Sequence, residues 1–222
     1  NKGLNIALLD RLTLDDNRIN SMVQGLLDIV KLPDPIGTII NSAVRPNGLI
    51  INNIRSAIGV ICIIYESRPN VSIDAAGLCI KSGNAVILKG GSEAINTNRI
   101  LTNIIRSTLS ETNVAEDIVI FIDSTDREIL KEILVMEKYI DLVIPRGGES
   151  LIESVTRLSR IPVIKHYKGV CHTYVDKTAD VEKAINICFN AKVDRPGVCN
   201  AMETLLVNAN IADKFLPLMI KK

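Results

Sequence analysis

The sequence predicts an α/β fold built on a parallel β-sheet with helices over both faces. From Ile58 onward, short and nearly continuous apolar runs alternate with amphipathic stretches, the pattern of strands buried on both sides. Hydrophobic residues make up 47% of 222 residues, enough for a substantial core in one large domain or about one and a half ordinary ones. Aromatics are only 3% with no Trp, so aliphatic side chains must fill that core.

Each element has its own signal. Residues 4–31 read as helix, because Leu8, Leu9, Leu12, Ile19, Met22, Val23, Leu26, Leu27 and Val30 recur at spacings of three and four. Thr13-Leu14-Asp15-Asp16 offers a break with a cap, and Pro33 and Pro35 close the region. Arg45-Pro46-Asn47-Gly48 is a hairpin turn, since Asn-Gly accepts positive φ, and Leu49-Ile50-Ile51 is extended after it. A strand at 58–65 leads to a helix that Ser72 is expected to cap, running to about Ser82, with Gly83 in the left-handed position past its end. Further strands are expected at 85–88, 118–122, 142–144 and 161–164. Between them lie helices: one opened by Glu93 with Ile100, Leu101, Ile104, Ile105 and Leu109 inward, one at 126–138 with Ile129, Leu130, Ile133 and Leu134 inward, and one at 149–159. After Gly169 the rhythm shifts to a strand at 171–175, a helix at about 180–190 and a strand at 204–207. The shift divides the chain into domains at 1–168 and 169–222.

Composition excludes several function classes. A formal charge of +1 and the scarcity of aromatics argue against a nucleic-acid partner. The longest apolar run, 58–65, falls far short of the ~20 residues of a membrane helix, and the first residues lack a secretory signal core. Five cysteines with no CxxC spacing favour reduced thiols, hence a cytoplasmic setting. Cys171 and His172 are adjacent while the other thiols are scattered, a poor ligand spacing, so no metal site is assigned.

In a parallel sheet, ligands bind beyond the carboxyl ends of the strands, which directs attention to three loops. Lys89-Gly90-Gly91-Ser92-Glu93 joins a strand to a helix start. Its glycines allow close approach of a ligand, Lys89 suits a nucleotide phosphate and Ser92 or Glu93 a ribose hydroxyl. An ordinary turn with a solvated lysine is the other reading. No GxGxxG or GxxxxGK[ST] is present. Pro145-Arg146-Gly147-Gly148 is a similar junction, for a cofactor, a substrate anion or a plain turn. Arg68-Pro69-Asn70 offers a guanidinium and an amide for phosphate or carboxylate, or is a surface turn. Cys199 follows Arg195-Pro196-Gly197-Val198 and precedes Asn200, a placement that suits a reactive thiol or a small packed residue. Cys62, Cys79 and Cys188 sit in apolar contexts and read as core. His166 and His172 are the two histidines, each a general acid–base or a structural residue.

Longer motifs carry a resemblance. Tyr65-Glu66-Ser67-Arg68-Pro69-Asn70-Val71, Lys81-Ser82-Gly83-Asn84-Ala85-Val86-Ile87-Leu88-Lys89-Gly90-Gly91-Ser92-Glu93-Ala94, Ile144-Pro145-Arg146-Gly147-Gly148, Gly169-Val170-Cys171-His172-Thr173-Tyr174-Val175-Asp176 and Arg195-Pro196-Gly197-Val198-Cys199-Asn200-Ala201-Met202-Glu203-Thr204-Leu205-Leu206 closely resemble the gamma-glutamyl phosphate reductases of the aldehyde dehydrogenase superfamily. The resemblance implies an aldehyde-dehydrogenase-like α/β fold, with an NADP(H)-binding domain followed by the start of a catalytic domain. It implies NADPH-dependent reduction of L-glutamyl 5-phosphate to L-glutamate 5-semialdehyde with release of phosphate, the second step of proline biosynthesis. Cys199 matches the family's nucleophile and would form a thioester. Asn70 is a candidate oxyanion donor. Lys89, Gly90, Gly91, Ser92 and Glu93, with Pro145, Arg146, Gly147 and Gly148, are implied for the cofactor, and Arg68 and His172 for the substrate. Hydrolytic aldehyde dehydrogenases carry a glutamate base where this chain reads Gly169-Val170-Cys171-His172, and a reductase must spare its thioester from water. The full enzyme is implied to be a homo-oligomer associated with glutamate 5-kinase. The family's chain is nearly twice as long, and this one begins at Asn, so it reads as a partial chain lacking the rest of the catalytic domain and the oligomerisation element. The rival readings are a catalytically silent nucleotide-binding fragment, a phosphate-independent aldehyde dehydrogenase, and a Cys–His hydrolase that needs no nicotinamide.

Overall fold

A computed structural model describes residue 9 and residues 12–66, 68–126, 128–165, 169–194, 196 and 198–222. The chain divides into two compact units, Asn1–Lys165 and His166–Lys222.

The first unit begins with helix α1, Asp16–Lys31, whose N-terminus is capped by the Asp15 carboxylate accepting from the Arg18 N–H at 2.8 Å. Residues 4–8 of the expected longer helix lie outside the described residues. Strands β1, Ile39–Val44, and β2, Ile50–Ile54, form an antiparallel hairpin closed at Asn47-Gly48, where Gly48 takes a φ of 84°. Every residue of both strands is exposed, so the hairpin adds nothing to the core.

The core is a parallel sheet of β3, Val60–Tyr65, β4, Ala85–Lys89, β5, Val119–Phe121, and β6, Leu142–Arg146, in the order β5-β4-β3-β6. Side chains alternate along β3. Ile61, Ile63 and Tyr65 join Ala75, Ala76 and Cys79 of α2, Asn70–Lys81, and Leu109 of α3, Ile95–Glu111, on one face. Cys62 and Ile64 join Ile133 of α4, Glu128–Ile133, and Val155 of α5, Glu149–Leu158, on the other. Because β4 and β5 are added on one side of β3 and β6 on the other, the strand order reverses at β3, the kind of switch point at which parallel sheets open a crevice.

Four expectations are corrected by the structure. Ser72 does not cap α2; Pro69 occupies the cap position, and the Ser72 hydroxyl is buried in the first turn with side-chain partners of its own. Of the side chains expected inward on α3, Leu109 is buried and Ile105 packs against the core, but Ile100 and Ile104 are 60% and 56% exposed, and Asn98 and Thr102 are buried instead. Residues 161–164 make only a bridge from Val163 to Val143, since the Pro162 nitrogen has no hydrogen to extend the ladder. The expected 126–138 helix is also shorter, ending at Ile133 and continuing as turns.

The second unit pairs β7, Cys171–Val175, with β8, Met202–Val207, in parallel. Helices α6, Val181–Val193, and α7, Ala209–Lys221, pack with them through Val175, Cys188, Ile211 and Phe215. Asp180 caps α6 and Asn208 caps α7, each through a side-chain oxygen.

Candidate functional site

A cleft of about 710 Å³ opens at the carboxyl ends of β3 and β4. Tyr65 and Glu66 line it from β3, Lys89, Gly90, Gly91, Ser92 and Glu93 from β4 and the turn after it, and Ser150, Leu151 and Ser154 from α5. Thr125, Asp126 and Lys131 complete the wall.

Lys89 is partly buried at the last position of β4, and its ammonium donates to the Gly90 carbonyl at 3.2 Å. Burial holds its pKa below the ordinary lysine value, against the opposing pull of Glu93 and Cys62. A partly desolvated cation at a strand end gains from an anionic ligand. The two glycines leave backbone uncovered for different reasons. A Cβ on Gly90 would lie 2.1 Å from Asn98 Nδ2 and 3.2 Å from the Tyr65 ring, whereas the nearest atoms to one on Gly91 belong to the Glu93 carboxylate, at 2.3 Å. Gly90 therefore rests on a buried polar network. The Ser72 hydroxyl donates to Asn98 Oδ1 at 3.2 Å, so the Tyr65 hydroxyl, 2.6 Å away, donates to Ser72. Burial pushes Tyr65 up to about 12, which keeps it a neutral donor.

The other loop candidates fall differently. Pro145, Arg146, Gly147 and Gly148 do not line the cleft; they reach it through Glu66, whose carboxylate accepts from the Gly148 N–H at 3.0 Å. A Cβ on Gly147 would lie 2.7 Å from that carboxyl carbon, so the turn and Glu66 fit only with glycine there. Glu66 escaped the sequence reading as a site residue, although it stands inside the Tyr65–Asn70 motif. Arg68 and Asn70 are exposed and outside the cleft lining, and the Asn70 amide donates to Asp74 at 3.1 Å.

In the second unit Cys199 is exposed as the first central residue of a turn closed by the Ala201 N–H on the Val198 carbonyl at 3.1 Å. Of the other thiols, burial raises Cys62 to about 12 and Cys79 to about 11, and also raises Cys188, so none of these three is a thiolate near neutrality. Cys171 is half-buried and its thiol donates to the Cys199 carbonyl at 3.4 Å. His172 Nδ1 lies 2.7 Å from the Val170 carbonyl, which can only accept; the proton therefore sits on Nδ1 and Nε2 is left for another partner. His166 and Arg195 lie outside the described residues. Among the described residues no cluster of His, Cys, Asp and Glu could hold a metal ion, and no helix is long and apolar enough to cross a membrane.

This arrangement, a crevice at the end of a parallel sheet and an exposed thiol on a separate α/β unit, is that of an aldehyde-dehydrogenase-like protein. The aldehyde dehydrogenase family model matches residues 30–222, and the chain belongs to that family. Within it the chain is 62% identical over 216 residues to the gamma-glutamyl phosphate reductase of Sulfurihydrogenibium sp. (strain YO3AOP1), covering 97% of this chain and 48% of that protein. The crystal structure of gamma-glutamyl phosphate reductase from Thermotoga maritima superposes with a TM-score of 0.90 at 45% identity, over 99% of this chain and 53% of that one. The Saccharomyces cerevisiae enzyme gives 0.68 at 37% identity, over 99% and 55%. The chain thus spans about half the length of the relatives it matches.

Proposed function

We propose that the chain belongs to an enzyme that reduces L-glutamyl 5-phosphate to L-glutamate 5-semialdehyde with NADPH, releasing phosphate, in proline biosynthesis. The observation that carries this reading is the exposure of Cys199 on a tight turn, in contrast to the buried Cys62, Cys79 and Cys188. Its thiolate attacks the acyl carbon, phosphate departs, and a thioester forms on Cys199. Bound NADPH supplies the hydride. Collapse of the thiohemiacetal on Cys199 then frees the aldehyde and restores the thiolate. Residues 169–172 carry no carboxylate, the group that serves as the water-activating base in hydrolytic relatives, which fits a thioester that is passed to hydride rather than to water.

In this reading residues 1–168 bind the nucleotide and 169–222 begin the catalytic domain. The cleft suits the nucleotide's anionic end: Lys89 offers a cation that burial disfavours until an anion joins it, and Gly90 and Gly91 offer uncovered backbone. Ser92 and Glu93 would meet the ribose, and Pro145-Arg146-Gly147-Gly148 would act through Glu66. Arg68 and His172 are assigned to the substrate and Asn70 to the oxyanion. The same proposal includes a cytoplasmic homo-oligomer associated with glutamate 5-kinase, and the exposed apolar residues of the β1–β2 hairpin support self-association.

Cys199→Ala tests the assignment. Turnover should vanish while NADPH affinity, read by nucleotide fluorescence, stays within about twofold, since the thiol adds no charge or hydrogen bond of note to nucleotide binding. Retained turnover, or loss of nucleotide binding in a folded variant, would overturn it.

A further inference from the structure

Two non-buried thiols meet in the second unit. Cys171 is the first residue of β7, and its sulfur lies 3.4 Å from the carbonyl oxygen of Cys199 itself. A carbonyl oxygen sits about 2.4 Å from its own Cα, so that sulfur is within about 5.8 Å of the Cys199 Cα. A disulfide requires Cα separations of about 4.4–6.8 Å with each sulfur near the partner's Cβ, and a Cys171 sulfur already this close to the Cys199 backbone reaches that geometry by side-chain rotation and a shift of the turn. The surroundings permit that shift. Cys199 stands in a turn rather than in a ladder, and the β7–β8 register slips by one residue between Cys171 and His172. Burial disfavours the competing thiols, since Cys62, Cys79 and Cys188 are all buried.

We propose that Cys171 is the resolving partner of Cys199, and that a hydroperoxide converts the pair to a reversible Cys171–Cys199 disulfide. With hydrogen peroxide as the oxidant, the Cys199 thiolate attacks one peroxide oxygen, the O–O bond breaks, and sulfenic acid and hydroxide form, the hydroxide taking up the proton that the Cys199 thiol had released to become water. The Cys171 thiol then attacks the Cys199 sulfur, an S–S bond forms, and hydroxide leaves and takes the Cys171 proton as a second water. Two thiols are oxidised and one peroxide is reduced to two waters. A dithiol reductant reverses the change. The pairing rests on geometry within one unit; only its consequence, a blocked nucleophile shielded from irreversible oxidation, rests on the reaction proposed above.

The test is treatment of the chain with hydrogen peroxide, followed by non-reducing peptide mapping. The expected product is a Cys171-peptide joined to a Cys199-peptide with the loss of two hydrogens, split by dithiothreitol. In Cys171→Ala and Cys171→Ser, Cys199 should instead gain two or three oxygens that dithiothreitol does not remove. Cys199 over-oxidised in the parent chain without the cross-link, or a disulfide joining two chains, would overturn the proposal. The readout is mass, so it stands apart from whether the chain turns over.

Discussion

Gly90 and Gly91 are adjacent, yet a methyl group on each meets a different fate. At Gly90 it strikes Asn98, which is fully buried and tied to Ser72, so the network must break or the turn must lift. Gly90→Ala should cost about 1–3 kcal/mol in urea unfolding and weaken nucleotide binding, whereas Gly91→Ala, which displaces only the end of Glu93, should leave stability nearly unchanged. Equal costs at the two positions would contradict this account. Lys89 supplies a pH dependence. An anion binds its charged form, and burial has moved its titration below the ordinary lysine range. Affinity for NADP should therefore begin to fall, as pH rises, earlier than an ordinary lysine would dictate, and Lys89→Arg should move that fall to higher pH in a fluorescence titration. Lys89 and its glycines were legible in the sequence because a cation and two glycines end a strand. Glu66 was not, because its role depends on Gly148, 82 residues onward, and local pattern carries no such pairing.

At the scale of elements, two side chains hold the entry to β3: the Asp141 carboxylate accepts from the Val60 N–H at 2.7 Å, and Asn84 holds the two residues before it. Buried Asn84 accepts from the Ile58 and Gly59 N–H groups at 2.7 and 2.9 Å, and donates to the Ser82 carbonyl and hydroxyl. Asn84→Ala strands those backbone donors and should destabilise the first unit by about 2–3 kcal/mol, measured by thermal or urea unfolding. The alternation of strand and helix that placed β3 to β6 was readable because burial on both faces demands continuous apolar runs. The buried face of α3 was misread for the opposite reason: hydrophobicity points to Ile100 and Ile104, while the fold buries Asn98 beside Ser72. Ser72 supplies a hydrogen bond to the Asn98 carbonyl oxygen, while the Asn98 Nδ2 and Thr102 Oγ1 atoms are buried with no hydrogen-bond partner among the described residues. Ser72 was expected at a helix cap because serine favours caps, but its hydroxyl is claimed by Tyr65 and Asn98.

For the whole molecule, the parallel sheet and the separate thiol-bearing unit support the chemistry proposed above, a cysteine-dependent exchange of phosphate and hydride at an acyl carbon. The hairpin β1–β2 marks where the sequence was least informative. Its Asn-Gly turn was plain, but nothing in it foretold that Ile39, Ile40, Ile50 and Ile54 would stand exposed, since exposure is settled by what the rest of the chain covers. The most direct test of the central claim is to supply glutamate 5-semialdehyde and NADP to this chain and follow NADPH formation with and without inorganic phosphate. Run in this reverse direction, the thioester on Cys199 can be released only by phosphate, so steady formation of NADPH should require it and cease in Cys199→Ala. Turnover at the same rate without phosphate would contradict the account, because water would then be taking the acyl group.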